Sequence, residues 1–295
     1  MSFSKDVKEE LSKISNLANK ELVKAELIGY LVTNNVDIKN NKIKYSTESE
    51  YNINRFSKLI SNVGIKNFKI DIQGKVFSIY INEKLNIEEL DIIENKIMLN
   101  EKILNFCVDN TIERAIVRGS FLGSGSINNP ENKYHLEVWY NCYENLEFIE
   151  KLLSRNNINV KKINNSLYIK DGEEISKYLA FIGANKAVLK FEEIRVIRDM
   201  RNNVNRLVNC ETANLNKTIN AALKQIDDIN FIIKCNRFSE LTENLQEIAQ
   251  VRLENPDATL IELGKMLNNP IGKSGVNYRL KMISDFAEEL RNKGK

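Results

Sequence analysis

Ser274, Asn277, Tyr278 and Lys281 stand at i, i+3, i+4 and i+7, a spacing that gathers them on one face of a helix. An amide, an ammonium, a hydroxyl and a phenol near a helix start form a set that can read nucleic acid. An asparagine can meet adenine with one donor and one acceptor, a lysine suits guanine or phosphate, and serine and tyrosine suit phosphate oxygens. Lys273 and Arg279 flank the face and could hold the backbone. On the other side Val276, Leu280, Ile283, Ala287 and Leu290 make the apolar stripe by which such a helix docks.

The residues before this face must position it. Leu241, Leu245, Ile248, Ala249 and Val251 mark a first helix that ends at Asn255-Pro256-Asp257. Ala258 to Leu267 reads as a second, Asn268-Asn269-Pro270-Ile271-Gly272 as a turn, and Ser274 as the cap of the third. Two short helices, a tight turn and a longer helix fit a helix-turn-helix. The alternative is a three-helix interaction module, because residues 239–295 hold eight basic and nine acidic residues and are not basic overall.

Other chemistry is poorly supplied. The single histidine, His135, falls in an apparent strand from Tyr134 to Trp139, so a histidine-based hydrolase and a Cys/His zinc site are not expected. Cys107, Cys142, Cys210 and Cys235 form no CxxC pair and read as small buried hydrophobes. No cofactor or metal site is expected.

The first two thirds of the chain repeat. Ala25–Leu31 aligns with Ala115–Phe121 at an offset of 90, Ser57–Ile65 with Glu150–Ile158 at 93, and Ile79-Tyr80-Ile81 with Leu167-Tyr168-Ile169 at 88. Each copy reads helix, strands, helix, strands, helix. In the first copy, residues 20–33 and 51–63 are helical, Lys42–Thr47 is a strand, and Phe68–Ile72 and Val76–Ile81 flank a hairpin at Gln73-Gly74-Lys75. Such a pair packs around a pseudo-twofold axis. From Phe191 to Lys234 no strand alternation remains and no Pro or Gly interrupts, which predicts one or two long helices. Residues 183–238 carry ten basic and six acidic residues, so this connector could touch DNA, or be a solvated helix face. Within it Asn209–Asn214 predicts a hinge, since Asn and Thr side chains compete with the helix ladder. The rival reading is a DNA or partner contact including Arg201, Arg206 and Asn214.

The charge balance, 43 basic against 40 acidic residues, does not by itself point to nucleic acid. With 15 Gly and Pro in 295 residues the chain is not a disordered or collagen-like one. It holds no apolar run of membrane-spanning length, and the sequence from Met1 to Asp6 lacks the apolar core of a signal peptide. A cytoplasmic, nucleoid-associated protein that does not enter membranes is the expectation.

Three segments resemble the WhiA family of bacterial transcription regulators: Arg114–Ser126, Arg198–Leu215 and Lys273–Leu280. The resemblance runs over essentially the whole chain, and the middle segment is the most specific. It implies a degenerate domain like that of LAGLIDADG homing endonucleases, tethered to a C-terminal helix-turn-helix. It sets Gly29 and Gly119 where two helices pack across the pseudo-dyad, and places the metal-holding acids of the nucleases at Asn34 and Ser124. Neither side chain carries charge, and hard divalent ions need carboxylate oxygens there. Asp37 could substitute in the first copy, but Ile127 occupies the matching place in the second.

The expected fold class is therefore α+β, a duplicated LAGLIDADG-like N-terminal domain joined by a helical connector to an all-α helix-turn-helix domain. The boundaries are 1–190 for the first domain, with repeats of about 20–108 and 109–190, then 191–238 for the linker and 239–295 for the DNA-binding domain. The expected function is a sequence-specific regulator that binds double-stranded DNA and is not an enzyme. The resemblance points to cell division, chromosome segregation or sporulation genes, with another transcription regulator or RNA polymerase as a further partner. The alternatives are a protein-binding scaffold and an active metal-dependent endonuclease.

Overall fold

A computed structural model describes residues 2–39 and 42–293, divided into two compact units, Met1–Asp199 and Met200–Lys295. In the first unit, α1 (Phe3–Ser12) precedes two copies of one arrangement. Copy one comprises α2 (Lys20–Leu31), β1 (Val36–Lys39), β2 (Lys42–Thr47), α3 (Glu50–Asn62), β3 (Phe68–Gln73) and β4 (Val76–Ile81). The hairpin β5 (Leu90–Ile93) and β6 (Lys96–Leu99) and the short α4 (Lys102–Phe106) follow. Copy two comprises α5 (Asn110–Ser124), β7 (Ser126–Ile127), β8 (Leu136–Trp139), α6 (Tyr143–Arg155), β9 (Lys161–Ile163), β10 (Ser166–Ile169) and α7 (Gly172–Ile182). The sheets run β1-β2-β4-β3 and β7-β8-β10-β9, the same antiparallel order twice. The duplication read from the side chains is thus a duplication of topology.

Strand alternation explains which face is covered. In β2, Ile43 and Tyr45 are buried while their neighbours are not, and they pair with Ile81 and Ile79 of β4. Gly74 takes a φ of 61° in the hairpin expected at Gln73-Gly74-Lys75, a conformation that glycine adopts freely. The β5–β6 hairpin lacks a glycine signal: Glu94 and Asn95 take its positive φ values, 50° and 59°.

The dyad is visible as two reciprocal close approaches between α2 and α5. A methyl group at Gly29 would fall 2.0 Å from the carbonyl oxygen of Ile116, and one at Gly119 would fall 2.0 Å from that of Glu26. Each glycine thus faces the carbonyl three residues before the other. The two copies also join outside the sheets: Thr33 bridges to Tyr140, and the Asn141 amide donates to the Val32 oxygen at 3.1 Å. Beside the glycines, the fully buried Glu26 accepts from Arg55 Nε at 2.7 Å and Arg118 Nε at 3.1 Å.

Four expectations are corrected. His135 precedes β8 rather than lying in the strand, and it is half-buried with Nε2 3.4 Å from Glu137. Cys142 is buried, but Cys210 and Cys235 are exposed; Cys210 lies on the solvated surface of a long helix and Cys235 in the turn that follows it. That helix, α8 (Asn185–Lys234), is the third correction: it runs 50 residues without a break, so Asn209–Asn214 is not a hinge. With no Pro or Gly the ladder continues, and the polar side chains bond along it. Thr218 Oγ1 donates to the Asn214 oxygen at 3.0 Å, and Asn214 Nδ2 donates to Cys210 Sγ at 3.7 Å. Ser274 is the fourth: α11 (Lys273–Lys293) starts before it, and the Gly272 oxygen receives the amides of Gly275 and Val276.

In the second unit α9 (Glu243–Glu254), α10 (Leu260–Met266) and α11 enclose one core. Ile229 and Ile232 from the end of α8 are fully buried in it, against residues such as Leu245, Ile248, Val276 and Leu280. The stretch expected to be a connector therefore contributes a fourth wall to the helical module.

Candidate nucleic-acid interface

Packing fixes which side of α11 faces outward. Val276, Leu280, Ile283 and Ala287 are buried, while Lys273, Ser274, Asn277, Tyr278 and Lys281 are exposed, Tyr278 at 65%. Arg279 is half-buried at the edge. All six residues read as candidates stand on the first turns of one helix, and the four at i, i+3, i+4 and i+7 share its solvent side. No hydrogen bond or ion pair among the described residues engages any of their side chains.

The turn before α11 needs a specific residue. A methyl group at Gly264 would lie 2.2 Å from the Ile271 oxygen, and Ile271 in turn donates its amide to the Gly264 oxygen at 3.1 Å. That close approach sets the angle at which α10 meets α11. Thr259 and Glu262 form a capping box at the start of α10. The α9–α10 connection is held by Arg252, 2% exposed, whose Nη1 donates to the oxygens of Ala258 at 2.8 Å and Pro256 at 3.3 Å. Burial pulls the Arg252 guanidinium below its usual pKa, and it has no carboxylate partner among the described residues. Sequence reading missed Arg252; its only signal is a lone arginine in the apolar phase of a helix, beside Ile248, Ala249 and Val251.

Arg201, Arg206 and Asn214 are exposed on α8. No bond among the described residues ties them to the α11 set.

At the dyad, the two positions expected to hold metal-binding acids do other things. Ser124 Oγ donates to the Trp139 oxygen at 2.6 Å and accepts the Trp139 amide at 3.0 Å, closing α5 onto β8. Asn34 is exposed and lines a cavity of about 690 Å³ with Asp37, Glu94 and Asn141. Of the two carboxylates there, Asp37 comes from copy one and Glu94 from the β5–β6 hairpin that follows it; copy two lines the cavity with Trp139, Tyr140, Asn141, Asn164 and Asn165. These residues do not fit a metal pair bridged by one acid from each copy.

Comparison with known proteins then decides the family. Residues 204–287 match the family model of the WhiA C-terminal HTH domain, and residues 113–201 that of the WhiA LAGLIDADG-like domain. The "Probable cell division protein WhiA" of Clostridium tetani (strain Massachusetts / E88) is 38% identical over 316 residues, covering 100% of this chain and 99% of that protein. The chain belongs to the WhiA family. The WhiA protein of Staphylococcus aureus (strain JH9), under the same description, is 38% identical over 310 residues, covering 99% and 98%. The crystal structure of full-length DUF199/WhiA from Thermatoga maritima is similar at a TM-score of 0.56 and 29% identity, over 98% of this chain and 99% of that one. The N-terminal LAGLIDADG domain of DUF199/WhiA gives 0.50 and 25%, over 62% and 90%. A WhiA-family chain thus carries a LAGLIDADG-like domain and a helix-turn-helix domain. No helix among the described residues is long and apolar enough to cross a membrane.

Proposed function

We propose that this WhiA-family protein is a sequence-specific regulator of transcription that reads double-stranded DNA with the exposed face of α11. Asn277, Tyr278 and Lys281 contact base edges, and Lys273, Ser274 and Arg279 hold phosphates. The observation that carries this reading is the division of α11 into a buried apolar stripe and an exposed polar face with no intramolecular partners. The first domain, residues 1–190, acts as a non-cleaving body, because Asn34 and Ser124 bring no charge to the dyad. Its target genes are those of cell division, chromosome segregation or sporulation, in keeping with the cell-division description of the relatives. We place the working domain in the cytoplasm on the nucleoid, with residues 239–295 as the reading head.

Asn277→Ala and Lys281→Ala are each expected to cost about 1–3 kcal/mol of specific binding, measured by fluorescence anisotropy on a selected duplex. Wild-type affinity in both would remove α11 from the interface.

A second reading, a scaffold for another regulator or RNA polymerase, draws on α8. Met200, Val204, Leu207, Leu215, Ile219 and Leu223 are exposed at 45–63% on that helix, more apolar surface than a solvated helix needs. The two readings are compatible.

A further inference from the structure

We propose that the second unit holds a binding site for a phosphate-bearing small molecule, in a cavity of about 430 Å³ beside the start of α11. The volume is that of a small-ligand pocket. Its lining includes three cations, Lys217 of α8, Arg252 of α9 and Lys273 of α11, and no carboxylate. Lys217 and Lys273 make no ion pair among the described residues. Glu262, the acid in the first turn of α10, is committed to its capping box with Thr259.

Arg252 is the decisive group. Among the described residues its hydrogen bonds run from Nη1 to carbonyl oxygens, and its Nε is buried with no acceptor. A guanidinium buried without an anion is costly, and a buried cation is ordinarily paired. Gln225 Oε1, on the same wall, is buried with no donor among the described residues. The cavity thus asks for a multiply charged anion that also carries a hydroxyl or amine. The apolar part of the lining, including Ala222 and Leu260, accepts the remainder of such a molecule. A phosphate monoester with a polar substituent meets these demands. Three cations favour a phosphate over a single carboxylate.

The position gives the site a consequence. Lys273 and Asn277 line the cavity and also belong to the α11 face, so occupation draws on groups that would otherwise meet DNA. That consequence rests on the reading of α11 above; the binding itself does not.

The test uses full-length protein labelled with ¹⁵N, titrated without DNA at constant ionic strength with inorganic phosphate, pyrophosphate and nucleoside 5′-monophosphates. The expected result is saturable movement of the amides of 217–225, 259–261 and 273–277 with at least one probe. Lys217→Glu should weaken that binding about tenfold. Arg252→Lys should weaken it also, and Lys234→Glu, outside the cavity, should leave it unchanged. Each variant is accepted only if its remaining amides match wild type. No saturable movement with any probe, or equal weakening in Lys217→Glu and Lys234→Glu, overturns the proposal. If a DNA duplex moves these amides and no free phosphate compound does, the phosphate is that of the DNA backbone and the small-molecule site falls.

Discussion

Glu26 sits fully buried between the guanidiniums of Arg55 and Arg118, with Asn16 Nδ2 donating to it at 3.0 Å. Burial alone would raise its pKa. The Arg55 hydrogen bonds and the charge of Arg118 outweigh burial and hold it below the usual carboxylate value. A carboxyl depressed in the folded state stabilises fully above its unfolded pKa, and that stabilisation is lost as pH falls through the folded value. Glu26→Gln leaves two arginines unpaired and should cost about 3–5 kcal/mol by urea denaturation at pH 7. The gap from wild type should be constant above about pH 5 and narrow below about pH 4. Gly119→Ala is expected to destabilise by about 1–3 kcal/mol or more in the same assay, because backbone on both sides leaves nothing flexible to yield. The glycines were legible in the sequence as a motif. The Glu26 network was not: Arg55 and Arg118 lie 29 and 92 residues away from Glu26, and only the folded dyad brings them to it.

Among the elements, the amphipathic ones could be read directly. α3 and α6 each bury one face, and β2 alternates, so their periodicities carry the signal. β1 and the β5–β6 hairpin escaped it, being four residues per strand and turning on Glu94-Asn95 instead of a glycine. The hinge expected at Asn209–Asn214 failed for a different reason. Asparagine and threonine lower helix propensity by only fractions of a kcal/mol each, and without Pro or Gly this does not stop a helix already propagating from both sides. Cα chemical shifts of 209–214 should therefore be helical throughout. Random-coil values confined to those six residues would restore the hinge. Thr212→Pro should abolish the helical shifts locally, at a cost of about 3 kcal/mol or more, while the cores of both units keep their amide protection.

At the scale of the molecule, a duplicated body built on a glycine-packed dyad is joined in one chain to a helical module with an exposed polar face. The sequence carried the duplication, because three aligned blocks kept their order, and it carried the α11 face, because about two helix turns suffice to define it. The role of the α8 end in the second core was hidden: Ile229 and Ile232 continue a stripe whose earlier members are solvent-exposed, and spacing alone does not distinguish a buried turn from a bare one. The division between the two compact units falls inside α8, between Asp199 and Met200.

The measurement that tests this account most directly is a selection for bound fragments from sheared DNA of the source organism. Full-length protein is compared with the triple variant Asn277→Ala/Tyr278→Ala/Lys281→Ala, each in Mg²⁺ and in chelator. The account predicts that wild type retains a small set of intact fragments under both conditions and that the triple variant retains none selectively. Equal selection by the triple variant, or fragments shortened only in Mg²⁺, would contradict it.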